Sequence, residues 1–116
     1  MPSKLYKIIR FFGLSNQKRK FMEESMELFE AITEFQMKCR ELEGRPPAIV
    51  DDELETYRMH IVEELADNFV LLGQFIDWFK IDKDLIAEMG SKKIERTLER
   101  YNIDNEGGRH ASTRKY

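Results

Sequence analysis

The chain has 116 residues, 35% of them charged, and a formal net charge of −3. This length supports one hydrophobic core rather than two, and so slight a charge excludes both the strong positive field of a nucleic-acid binder and an acidic solvating tail. The single cysteine, Cys39, can form neither an internal disulfide nor a zinc spacing, which fits a reducing, cytoplasmic location, and no uncharged apolar run of about 18 residues is present to span a membrane.

Leu5, Ile8, Ile9 and Phe12 have the i, i+3, i+4, i+7 spacing of a short amphipathic helix over about 3–13, ended by Gly13. Lys4, Lys7 and Arg10 occupy its other face. So few charges on about ten residues favour a helix docked on the domain over one lying on a membrane. Phe11 falls off the stripe, towards a partner chain or a ligand.

Ser15 or Asn16 is the expected cap of a long helix from about Gln17 to Glu43. Phe21, Leu28, Ile32, Phe35, Cys39 and Leu42 form one apolar stripe, where Cys39 reads as a small hydrophobe. Met22, Met26, Phe29 and Met37 form a second stripe, rotated by roughly 120°. A helix with two apolar faces touches two layers: here the chain's own core and either a second subunit or another helix. Glu24 and Glu27 run along the margin of the first stripe, between Lys20 and Ala31.

Gly44-Arg45-Pro46-Pro47 is expected to stop this helix and open a linker to about Val50. Asp51 or Asp52 then caps a third helix, which runs to about Lys80. Its broad stripe of Ile61, Leu65, Phe69, Leu72, Ile76 and Phe79 is expected to face the core. His60, Glu64, Asp67 and Leu71 share the adjacent stripe. Asp82 caps a last helix from about Lys83 to Tyr101, which Gly90-Ser91 is expected to bend or divide. Lys92, Arg96 and Arg100 lie on one face of its second half, with Lys93 at the edge. The expected organisation is one domain over 1–101, its core about 17–101, followed by a flexible tail over 102–116. Neither strand alternation nor an internal repeat is present. The fold class is therefore all-α, a four- to five-helix antiparallel bundle.

Two carboxylates a turn apart, Glu64 and Asp67, sit in one of the most apolar stretches of the chain. An isolated pair of this kind is most often a solvated helix face. If the second and third helices are antiparallel neighbours, however, Glu24, Glu27, Glu64 and Asp67 surround one point. Four carboxylates in a partly dry site need compensation. A hard divalent ion supplies it, and Mg²⁺ leaves room for water and substrate phosphates. Lys20 and the Lys92, Arg96 and Arg100 face can then hold phosphate oxygens farther out.

Following Lys20, the run Glu23-Glu24-Ser25-Met26-Glu27 and the run Glu63-Glu64-Leu65-Ala66-Asp67 resemble the EExxE and ExxD halves of the MazG-like all-α nucleoside triphosphate pyrophosphohydrolases. Lys92-Lys93-Ile94-Glu95-Arg96-Thr97-Leu98-Glu99-Arg100 resembles the basic segment that closes the family's core. The resemblance covers roughly residues 17 to 101. It implies Mg²⁺-dependent hydrolysis between the α and β phosphates of a nucleoside triphosphate or dNTP, with Mn²⁺ as a substitute ion. By position, Glu24, Glu27, Glu64 and Asp67 would be the metal ligands and Glu23 an accessory carboxylate. Lys20, Lys92, Lys93, Arg96 and Arg100 would bind the phosphates. The family is generally oligomeric, which implies a dimer or tetramer here and suits the two-faced second helix.

The interval between Glu27 and Glu64 is longer than usual for this motif pair, so it should lengthen the two helices or form a loop over the site. His60, a turn before Glu64, reads as a hydrogen-bonded interface histidine more readily than as a ligand, because no second histidine accompanies it. Phe11, Phe12 and Trp78 are candidates for base stacking, although aromatics at helical spacing usually pack. Two alternatives accompany the main reading: a phosphoribosyl-ATP pyrophosphohydrolase, and a non-enzymatic helical module that assembles with itself. Nucleic acid is a poor partner for the last helix, whose basic residues are interrupted by Glu95 and Glu99.

Overall fold

The computed structural model describes residues 2–104. They form four helices and, among the described residues, no strand: α1 (Lys4–Phe12), α2 (Leu14–Glu41), α3 (Pro47–Trp78) and α4 (Lys83–Arg100). The all-α expectation holds. The helices divide between two compact units, with α1, α2 and α3 in Met1–Lys80 and α4 in Ile81–Tyr116. The expected tail falls outside the described residues from residue 105 onward.

The helix ends have local causes. Ser3 is extended and its Oγ accepts from the Tyr6 N–H at 3.0 Å, satisfying one free donor of α1. Gly13, at φ 91°, closes α1 by donating to the Ile9 carbonyl at 2.8 Å. The same residue starts α2 without a side-chain cap, so α2 begins at Leu14, ahead of the expected Gln17. Asn16 does not cap it; its Nδ2 donates back to the Phe12 carbonyl at 2.7 Å.

The expected linker to Val50 is also corrected, because α3 starts at Pro47. Proline has no N–H to leave unpaired in a first turn, and its fixed φ suits that position. Asp51 therefore lies inside the helix, where its Oδ1 is 3.1 Å from Arg58 Nη2. In the second unit, Asp82 caps α4 as expected, accepting from the Asp84 N–H at 2.8 Å. Gly90-Ser91 does not divide α4, which continues unbroken to Arg100.

Within the first unit α2 and α3 run antiparallel. Gln17 bonds Gln74, Ser25 bonds Asn68, and Glu34 lies beside His60, so rising numbers on one helix meet falling numbers on the other. Phe35, Leu42 and Leu54 form the buried cluster nearest the α2–α3 turn, with Cys39, Tyr57 and Ile61 packed around it. Burial pushes the Cys39 thiol up, in keeping with its reading as a small hydrophobe. At the other end, Phe21 meets Phe75 edge-on at 5.6 Å.

α1 closes that end of the pair. Ile9 is fully buried, Tyr6 stacks on Trp78 at 5.9 Å, and the Ser3 hydroxyl donates to Asp77. A Cβ on Gly73 would stand 2.7 Å from Leu5 Cδ1, so the missing side chain is what lets α1 lie this close to α3.

The inward face of α3 differs from expectation. Leu54, Glu64, Asn68, Leu71 and Gln74 are buried, while Leu65, Phe69, Leu72 and Phe79 are exposed, Phe69 by 70%. Periodicity finds an apolar face without saying which face the chain's own helices cover. Here α2 covers the stripe that carries the polar groups. Met22, Met26, Phe29 and Met37 on α2 are exposed, as expected of a stripe turned away from the chain's own core.

Candidate functional site

The antiparallel register brings Glu24 and Glu27, on consecutive turns of α2, to Glu64 on α3. One carboxylate oxygen from each lies within 4.8 Å of the others. Asn68 holds this arrangement from below. Its Nδ2 donates to the Glu64 carbonyl at 2.8 Å and, across the seam, to the Glu24 carbonyl at 3.0 Å, while its Oδ1 accepts from Ser25 Oγ at 3.2 Å. One amide thus ties together the backbone at two of the three carboxylate-bearing positions. The sequence reading passed over Asn68. Its signal was a polar residue one turn after Glu64 in an apolar stretch, where buried polar groups need partners.

Glu64 is buried and Glu24 half-buried, whereas Glu27 is exposed. Glu64 is 9% exposed; its Oε1 lies 3.3 Å from His60 Nε2, and its Oε2 is buried without a hydrogen-bond partner among the described residues. Oε2 of Glu24 is buried in the same condition. Burial, before anything else, pushes the Glu24 carboxyl above its ordinary value of 4.5; the hydrogen bond and charge of Glu27 and the charge of Asp67 act in the same direction, and Lys20 opposes them. Lys20 Nζ stands 3.5 Å from Glu24 Oε1. A buried acceptor left unpaired costs about 1–3 kcal/mol, and more when charged. Together with Glu27, these two glutamates form a group that could hold a metal ion. An all-oxygen donor set suits a hard divalent ion such as Mg²⁺ or Mn²⁺.

His60 lies between two carboxylates, with Nδ1 3.5 Å from Glu34 and Nε2 beside Glu64. It stands beside Glu64 one turn earlier on α3. Asp67 is exposed one turn beyond Glu64 and lies outside the trio, although its charge reaches Glu24. Glu23 is exposed and outside the trio as well. Lys92, Lys93, Arg96 and Arg100 are exposed on α4 in the second unit. There Lys92 Nζ is 3.4 Å from Glu88, and Lys93, Arg96 and Arg100 line one shallow groove.

A cavity of about 320 Å³ adjoins Glu24 within the first unit. Lys20, Glu24 and Asp67 line it, as do Ile8 and Phe12 of α1. Val70, Leu71, Gln17 and Gln74 complete it, and Gln17 Nε2 donates to Gln74 Oε1 at 2.9 Å. Neither glutamine stood out in the sequence, because a polar residue on a long helix shows no partner until the facing helix is placed.

No protein-family model matches the chain, and no curated protein or solved structure matches it. Among the described residues no helix is long and apolar enough to cross a membrane.

Proposed function

We propose that the chain is a Mg²⁺-dependent nucleotide pyrophosphohydrolase, cleaving a nucleoside triphosphate or dNTP between the α and β phosphates to give the monophosphate and pyrophosphate. The observation that carries this reading is the meeting of Glu24, Glu27 and Glu64 across the α2–α3 seam, with two buried carboxylate oxygens that no donor among the described residues satisfies. The MazG-like order of the acidic residues along the chain supplies the reaction class. Exposed Met22, Met26 and Phe29 support a homo-oligomer built on the outer face of α2. The same exposed row is what favours the second reading, a helical module that only assembles with itself.

In the proposed reaction Glu24, Glu27 and Glu64 hold the metal, and Asn68 keeps their two helices in register. When bound, Mg²⁺ supplies positive charge against the phosphate oxygens. Asp67, exposed and lining the cavity beside Glu24, orients a water and takes its proton as the water attacks phosphorus. The bridging P–O bond then breaks and pyrophosphate leaves. Lys20 at the same cavity offsets charge on the substrate.

Pyrophosphate release from a panel of nucleotides, with phosphoribosyl-ATP included, tests the proposal. Release that needs Mg²⁺ and is lost in Glu64→Gln supports it. A folded, self-associating chain with no turnover of any compound would leave the assembly module in its place.

A further inference from the structure

We propose that the cavity beneath α1 is a nucleobase pocket, in which the buried Gln17–Gln74 amide pair reads the hydrogen-bonding edge of the base. This assignment rests on the pyrophosphohydrolase reading and specifies where its substrate lies.

The two glutamines are 4% and 2% exposed, and each spends one amide atom on the other at 2.9 Å. The remaining atoms, Gln17 Oε1 and Gln74 Nε2, have no hydrogen-bond partner among the described residues, and both residues line the cavity. Buried amides left half-paired are costly unless water or a ligand completes them. The pair thus leaves one acceptor and one donor for a ligand to meet. Every common nucleobase presents a complementary edge, either carbonyl with N–H or amino group with ring nitrogen. Exchanging oxygen and nitrogen on both amides preserves their mutual bond and reverses the polarity of the pair, so either type of edge can be met.

The rest of the cavity suits the same ligand. Ile8 and Phe12 give it apolar walls from α1, against which a planar ring packs. Gln17 and Glu24 are both on α2, and the helical rise separates them by about 10 Å along its axis. The amides therefore lie at one end and the carboxylate at the other. A base at the amide end directs its sugar and phosphates along the groove towards Lys20, Glu24 and the trio.

The test compares kcat/KM for the common dNTPs with that for 2-deoxyribose 5-triphosphate, which has no base, in the full chain and two variants. Gln17→Met with Gln74→Met removes the polar edge at nearly constant volume, and Phe12→Ala removes an apolar wall. In each variant the ratio of base-bearing to base-free kcat/KM is expected to fall about tenfold, mainly through KM. If circular dichroism shows that the double variant does not fold, Phe12→Ala decides, since its ring is half exposed and its loss leaves the core intact. An active wild type whose ratio is unchanged in either folded variant overturns the base assignment alone. A wild type that releases no pyrophosphate from any compound overturns the catalytic reading, and the pocket assignment with it.

Discussion

The side-chain amide of Asn68 donates to the main-chain carbonyl of Glu24 across the α2–α3 seam at 3.0 Å. The same nitrogen donates to the Glu64 carbonyl at 2.8 Å, so the spacing of two of the carboxylates depends on one side chain that is 7% exposed. Asn68→Ala removes both bonds and leaves Ser25 without its acceptor. It is expected to lower stability by about 1–3 kcal/mol and to weaken stabilisation by Mg²⁺, both read from urea denaturation with and without the ion. A variant as stable and as Mg²⁺-responsive as the wild type would remove Asn68 from the account.

The pH dependence follows from Glu24. Its carboxyl is pushed above the ordinary 4.5, first by burial and then by Glu27 and Asp67, so the metal-free folded chain holds this proton more tightly than the unfolded chain does. The stabilising contribution is complete below pH 4.5 and is lost as pH rises through the folded value. Glu24→Gln should therefore flatten this part of the metal-free profile and raise stability near neutral pH. Stabilisation by Mg²⁺ should run the other way, present when the carboxylates are ionised and lost on acidification. Thermal melts over about pH 4 to 8 measure both trends. Equal slopes for wild type and variant would show that Glu24 is not the group responsible.

Much of this was legible in the sequence, for identifiable reasons. Helix existence, the cap at Asp82, and the pairing of Glu24 and Glu27 with Glu64 follow from local chemistry and from the antiparallel order of two long helices. Gly13 ends α1 as expected, but the starts of α2 and α3 were misjudged, because α2 follows Gly13 directly and a first-turn proline allows α3 to start where composition suggests a break. The buried faces of α3 were misjudged because several of its apolar residues face outward. Gln17, Gln74 and Asn68 were missed since the bonds that tie them across the seam come from the opposite helix, more than forty positions away.

Docking of α1 depends on Gly73, where an added Cβ would meet Leu5 at 2.7 Å. Gly73→Val is expected to push Leu5 aside and lower stability by about 1–3 kcal/mol. Trp78, the single tryptophan, stacks on Tyr6 of α1 at 5.9 Å, so its emission reports the docking. Unchanged emission and stability would mean that Leu5 rotates away without loosening the helix.

The outer face of α2 carries the proposed self-association. Met26→Lys combined with Phe29→Lys places two charges on side chains that are already exposed and touches none of the carboxylate trio. Light scattering should show the wild type as an oligomer and the double variant at lower mass, with the helical content of both alike. A monomeric wild type, or an unchanged mass in the variant, would contradict the assembly.

The central claim is that Glu24, Glu27 and Glu64 hold a metal for phosphoryl chemistry, and pyrophosphate release by wild type and Glu64→Gln tests it most directly. Glutamine keeps the shape of the side chain and an oxygen within reach of His60, whose Nε2 lies 3.3 Å from Glu64, while removing the charge. The account predicts Mg²⁺-dependent release by the wild type, reversed by a chelator, and a loss of about 100-fold or more in the variant with its helical content intact. Equal release by the two proteins, or release indifferent to Mg²⁺ and chelator, would contradict it.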